Sequence, residues 1–228
     1  MTSTARTTIL CYGDSNTHGT CAMLGPDDLQ RFRSHVRWPG RLASMMGDRV
    51  RIVCEGLPGR TTVHDDPIEG PHKNGLSVLP AILESHRPIG IVVLMLGTND
   101  LKSRFAVTSS DIARSIQKLL SVIAQSRCGP SGKAPKVLLI APVPIREIGF
   151  LGGHFAGGAP ISHSLAELYS DLAAAQGCAF LDAGAVADVD PVDGVHLTRA
   201  GHEALSEHVA AKLRTMLPAT LSLVSGRR

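Results

Sequence analysis

Short apolar runs alternate with longer stretches of helical periodicity along this chain, and that alternation predicts its fold class. Residues 8–12 read as a first strand that ends in Gly13-Asp14-Ser15, and residues 51–54 as a second. Residues 89–96 are almost wholly apolar, as a strand covered on both faces must be. Residues 137–141, closed by Pro142 and Pro144, predict a fourth strand, and residues 179–182 a short fifth. Helices are expected over 38–46, 76–85, 110–125 and 163–176. In the third of these, Ile112, Ile116, Leu119, Leu120 and Ile123 recur at helical spacing. A last helix is expected to start at a Thr198 N-cap and run to Leu217, before Pro218.

Strand and helix in strict alternation imply a parallel sheet covered on both faces. Right-handed crossovers then make it a doubly wound α/β three-layer sandwich with a five-stranded sheet. No linker or repeat interrupts the pattern, so residues 1–218 are expected to form one domain, with residues 219–228 a frayed tail. Two stretches lack periodicity, 20–37 and the glycine-rich 149–158. Loops of that length are expected to wall a pocket or to make subunit contacts.

Composition narrows the function mainly by exclusion. With 228 residues, 43% of them hydrophobic and 19% charged, the chain can close a core and is not of disordered type. A net charge of +3, without a Lys/Arg stripe interleaved with aromatics, gives no footprint for nucleic acid. No apolar run reaches the length of a membrane span, so no membrane partner is expected. Residues 1–8 are polar and lack the apolar segment and cleavage site of a signal peptide, which predicts a cytoplasmic protein. The five cysteines contain no C-x-x-C pair. Cys11, Cys54 and Cys178, in or beside apolar runs, are expected to pack as small core residues in a reducing compartment.

In an open parallel sheet, ligands bind beyond the carboxyl ends of the strands. Gly13-Asp14-Ser15-Asn16 follows the first strand, Gly56-Leu57-Pro58-Gly59-Arg60-Thr61 the second, and Gly97-Thr98-Asn99-Asp100 the third. Asp193-Gly194-Val195-His196 lies in the loop before the last helix. A serine hydroxyl needs an imidazole to take its proton, and the imidazole needs a carboxylate to fix its tautomer. Asp193 and His196 are spaced so that one turn sets the carboxylate against a ring nitrogen, leaving the other nitrogen for Ser15. The backbone N–H groups of Ser15 and Gly59 and the side-chain amide of Asn99 are candidate oxyanion donors. Gly59 has no Cβ to obstruct the oxyanion, and Asp14 and Asp100 are expected to brace their loops.

Each motif alone has a plainer reading. Gly-Asp-Ser is an ordinary turn, and Asp-x-x-His is equally a capped surface loop. Their weight comes from falling in order, each after the right element. The Gly-x-Ser-x-Gly elbow is absent, as are the dinucleotide and phosphate-loop glycine patterns. His64-Asp65-Asp66 has metal-ligand residue types but no partner group at known spacing, so no metal is expected there. Trp38 is a candidate pocket residue or core, and Arg60 a candidate substrate ligand or structural ion pair. His202 and His208 on the last helix are expected to be exposed.

These motifs resemble those of the SGNH (GDSL-type) hydrolases over nearly the whole chain, with Ser15, Gly59, Asn99 and His196 at the family's four named positions. Val36-Arg37-Trp38, the stretch from Glu55 to Thr62, Leu96-Gly97-Thr98-Asn99-Asp100 and Asp193-Gly194-Val195-His196 look like the arylesterase and acyltransferase branch. The resemblance implies a flavodoxin-like sandwich and hydrolysis of short acyl esters without metal or organic cofactor. It also implies acyl transfer to alcohols or peroxide in some members, and a homo-oligomer. Asn16 departs from the family's leucine, and His18 stands where this branch often has an aromatic residue. His18 is therefore a candidate substrate contact in a more polar pocket, suited to an acetylated sugar. The expected function is a serine esterase with Ser15, Asp193 and His196 as its triad. An acetyl-sugar esterase would need the same constellation. A catalytically silent sugar-binding module is the alternative of another class, and a nucleotide-binding flavodoxin-like protein rests on topology alone.

Overall fold

The structure, a computed structural model, describes residues 6–218. Among them, five parallel strands form one sheet in the order β2-β1-β3-β4-β5. The strands are β1 (Thr7–Gly13), β2 (Val50–Gly56), β3 (Ile89–Met95), β4 (Lys136–Ala141) and β5 (Ala179–Asp182). The residues before Arg6 and the tail 219–228 lie outside the described part, so the expectation of a frayed tail falls on neither side.

Period-two alternation within β1 sets the layers. Ile9 and Cys11 enter one apolar cluster and Leu10 and Tyr12 the other, all fully buried. Helices α2 (Trp38–Met46) and α7 (Arg199–Met216) close the first face through Trp38, Leu42, Leu205, Val209 and Leu213. Helices α3 (Gly75–His86), α4 (Ser109–Gln125) and α6 (Leu165–Gln176) close the second through Leu79, Leu83, Ile116, Leu119, Leu165 and Tyr169. In α4 the apolar stripe is the buried one, and a reciprocal Thr108–Asp111 capping box starts the helix. The strand order reverses direction between β1 and β3. That is the switch point, where the loops leaving two adjacent strands diverge and open a crevice.

Two short helices were not foreshadowed by periodicity. Residues Ser15–His18 form α1, started by the Asp14 carboxylate, which accepts the Asn16 N–H, and stopped by Gly19 at φ 86. Residues Gly158–His163 form α5, and Ser164 separates it from α6, so the helix expected over 163–176 starts at Leu165 and is preceded by a second, unexpected helix. Gly158 and Pro160 in the first turn of α5 hid it, although proline is tolerated where the N–H groups have no helical acceptor.

Two burial expectations are corrected. Cys54 is exposed and Cys178 half-buried, because β2 and β5 are the sheet's edge strands and their neighbours cover them only in part. His202 is fully buried, since it shares the α7 face of Leu205, Val209 and Leu213 and is covered by α2 and by Phe32 of the 20–37 loop. Its Nδ1 accepts the Trp38 N–H at 3.3 Å, and the Phe32 ring meets it edge-on at 5.3 Å. Burial, with the nearby charges of His196 and Arg37 adding to it, lowers its pKa to about 4. Below pH ~6.5 the unfolded chain takes up a proton at this position that the native protein refuses down to about pH 4. Stability is therefore lost as pH falls through that window, by about 3 kcal/mol in total. A His202→Gln variant, which keeps an acceptor for Trp38, is expected to lack that share of the acid loss. Paired thermal unfolding at pH 7 and pH 4 measures it, and parallel declines in the two proteins would refute it.

Candidate active site

The site is built at the carboxyl edge of the sheet from four loops. Ser15 is the first residue of α1, directly beyond β1. The carbonyl of Asp14 accepts the Thr17 and His18 N–H groups, so the turn carrying Ser15 is closed from below. Ser15's own N–H, at the first helical position, has no acceptor inside the helix.

The second component is the loop before α7. Asp193 is fully buried, and its two carboxylate oxygens accept from four donors. Oδ1 takes the N–H groups of Val195 at 2.9 Å and His196 at 3.0 Å. Oδ2 takes His196 Nδ1 at 2.6 Å and the Met23 N–H at 2.8 Å. Burial alone would raise this carboxyl, but the bonds from His196 outweigh it and hold its pKa below the usual range. An anionic Asp193 fixes the proton of His196 on Nδ1 and leaves Nε2 as an acceptor. The turn is tight. Gly194 sits at φ 72, and a Cβ there would lie 2.2 Å from the Arg146 carbonyl oxygen.

Asn16 joins the two components. Its Nδ2 donates to the Val195 carbonyl at 3.1 Å and its Oδ1 accepts the Leu197 N–H at 2.9 Å. The buried amide thus pairs with the backbone on either side of His196, as a strand neighbour would. A leucine here would leave both backbone groups without this partner. The departure from the namesake motif is a structural clamp on the histidine loop.

The loops after β2 and β3 are tied by Asp100, whose carboxylate accepts the Thr62 N–H at 3.0 Å and the Thr62 hydroxyl. Asn99 Nδ2 donates to the Arg60 carbonyl at 3.1 Å, which sets the Asn99 amide beside Gly59. Burial pushes Asp100 up to about 7, against the Thr62 bonds, and Asp14 up to about 6, against the Asn16 bond. Gly59 stands at φ 79, and a Cβ there would lie 2.2 Å from Glu69 Oε2. Its glycine is thus demanded by backbone conformation, and a Cβ there would also displace the end of the Glu69 side chain.

Ser15, Gly59, Asn99 and His196 border one cavity of about 540 Å³. The two aperiodic loops wall it, with Met23, Pro26 and Leu29 from one and Phe150, Leu151 and Phe155 from the other. His18 also reaches it, with Nδ1 3.1 Å from the Thr20 hydroxyl, and burial lowers its pKa ahead of a contribution from Arg37. Two of the candidate substrate contacts are corrected. Trp38, in the first turn of α2, is 0% exposed in the core. Arg60 is turned away from the cavity, with its guanidinium 4.2 Å over the Tyr12 ring and bonded to the carbonyls of Gly13 and Glu55. It ties the ends of β1 and β2 together.

His64, Asp65 and Asp66 separate into local roles. His64 lies 3.7 Å from Asp100, Asp65 accepts from Asn74, and Asp66 caps the turn at Ile68 and Glu69. Among the described residues no three His, Cys, Asp or Glu side chains gather as metal ligands, and no helix is long and apolar enough to cross a membrane. Sequence reasoning missed Met23, Glu69, Lys73, Lys102 and His154 as individual residues; all border the cavity from aperiodic segments, and the Met23 N–H also bonds Asp193.

The GDSL-like Lipase/Acylhydrolase family matches residues 11–204. An acetylxylan esterase from Xylanibacter ruminicola is 23% identical over 222 residues, which cover 90% of this chain and 43% of that protein. The chain thus spans less than half the length of that relative. The native aryl esterase of M. smegmatis is 39% identical over 92% of this chain and 100% of its own, with a TM-score of 0.88. A carbohydrate acetylesterase from Sinorhizobium meliloti is 35% identical over 93% of this chain and 100% of its own, also with a TM-score of 0.88.

Proposed function

The chain belongs to the GDSL-like lipase/acylhydrolase family and is an ester hydrolase; on that premise we propose that it cleaves short acyl esters through an acyl intermediate on Ser15. The observation that carries this reading is the buried Asp193–His196 pair at 2.6 Å, whose histidine borders the same cavity as Ser15. His196 Nε2 takes the Ser15 proton as Oγ adds to the ester carbonyl. The negative charge that develops on the carbonyl oxygen is met by the Ser15 and Gly59 N–H groups and the Asn99 amide. His196 then hands its proton to the departing alkoxide. Water, deprotonated by the same imidazole, releases the acid and restores Ser15. An alcohol in place of water gives acyl transfer, and peroxide gives a peracid.

A fluorophosphonate probe tests the nucleophile directly. Ser15 is expected to be the residue carrying the phosphonyl group in a peptide mass map. Folded protein that stays unlabelled would overturn the reading and favour a silent binding module. In the same reading the protein works in the cytoplasm as a homo-oligomer. All five cysteines are free thiols, which supports a reducing compartment. An acetyl-sugar esterase is the second reading, favoured by the charged side chains Glu69, Lys73 and Lys102 on the cavity wall.

A further inference from the structure

We propose that Glu69 and Lys73 form a hydroxyl-recognition subsite beside Gly59, which makes the preferred leaving group a hydroxylated alcohol of monosaccharide type. This rests on the esterase reading of Ser15 and extends it to the alcohol half of the substrate.

The carboxylate of Glu69 is held from three directions. Its backbone lies on a turn pinned by Asp66, whose Oδ1 accepts the Ile68 and Glu69 N–H groups at 2.9 Å each. Its Oε1 is taken by Lys102 Nζ and by Arg104 Nη2, the latter at 2.8 Å. Its Oε2 is directed at Gly59, within 2.2 Å of where a Cβ would stand, and Lys73 Cε lies 3.3 Å from the same point. Lys73 Nζ spends one donor on the Pro58 carbonyl at 2.8 Å and retains two. An oriented acceptor and a cationic donor therefore flank the glycine proposed to bind the oxyanion, and both border the cavity.

That pairing selects among substrates. A hydroxyl near the ester carbon can donate to Glu69 Oε2 and accept from Lys73 at once. A carboxylate-bearing alcohol would face the Glu69 charge. The phenyl group of an aryl ester or a plain alkyl group would cover Oε2 and supply it no proton, and sites built to bind a hydroxyl discriminate against analogues that lack it. Phe150, half-buried on the cavity wall, offers apolar surface to the C–H face of a sugar ring. The Glu69 side chain is 34% exposed, so the preference is expected at roughly 10- to 100-fold, below that of a dry site.

The test compares 6-O-acetylglucose with cyclohexylmethyl acetate, similar in size and lacking the ring hydroxyls. Wild-type kcat/KM is expected to favour the sugar ester by that factor. Lys73→Met and Glu69→Gln are each expected to shrink the ratio about tenfold, with the rise in KM larger for the sugar. Lys73→Met leaves the Lys102–Glu69–Arg104 contacts in place, so it carries the test if Glu69→Gln fails to fold. A wild-type ratio near one, or a ratio unmoved by Lys73→Met while both esters turn over, overturns the subsite and leaves the Ser15 reading standing. Turnover of neither ester together with an unlabelled Ser15 removes both.

Discussion

Ser15→Ala is expected to lower kcat on p-nitrophenyl acetate by on the order of 10⁶, with the fold unchanged. The hydroxyl is the only atom lost, and the contacts that hold its turn belong to other groups. The Asp14 carboxylate caps α1 and the Asn16 amide clamps the histidine loop. The other hydroxyl on the cavity wall, that of Thr20, is already engaged 3.1 Å from His18 Nδ1. Residual catalysis of roughly 10³ over water should persist, because the oxyanion donors are backbone and amide groups that the substitution spares. Stopped-flow and steady-state rates on protein with a native circular dichroism spectrum decide the matter. Wild-type turnover in the variant would end the proposed mechanism.

The second large effect is expected at Asp193→Asn, a loss of about 10⁴ in kcat. Four donors converge on this carboxylate, from Met23, Val195, His196 N and His196 Nδ1. An amide can accept on one end only. With its NH₂ in the Oδ2 place the amide donates to Nδ1 and drives His196 to the tautomer that cannot take the Ser15 proton; the opposite orientation sets the NH₂ against the Val195 and His196 N–H groups, donor against donor. Stability should fall as well, since a backbone donor loses its acceptor. The carboxyl's lowered pKa has a separate consequence. It stabilises the native state at pH values above the usual carboxylate range, and that contribution disappears as pH falls through its depressed native value. A kcat within tenfold of wild type would show that Asp193 does not govern the imidazole.

The readable part of this protein was the part written in local chemistry. Buried parallel strands need nearly continuous apolar runs, so 89–96 could be placed from residue types alone. The Asp193–His196 spacing encodes a single turn, and the turn is there. What escaped depends on which element covers which. His202 occurs at i, i+3 and i+7 with Leu205 and Val209, a helical core face that its polarity disguised. Trp38 and Arg60 were candidate contacts because they sit near motifs in sequence. Trp38 packs from the first turn of α2 into the core, and Arg60 satisfies strand-end carbonyls. Glu69 and Lys73 belong to a segment without periodicity, and only the tertiary fold brings them to Gly59.

The Asn16 clamp has a consequence in time as well as in space. Its two bonds join positions 179 and 181 residues apart. A ribosome releases the Ser15 turn early and the Asp193–His196 loop only after all five strands have been made. Contacts of such separation are the slowest kind for a chain to find. Under the proposed mechanism the nascent polypeptide therefore carries an inert serine until the Asp193–His196 loop has been made, and reactivity arrives with that loop.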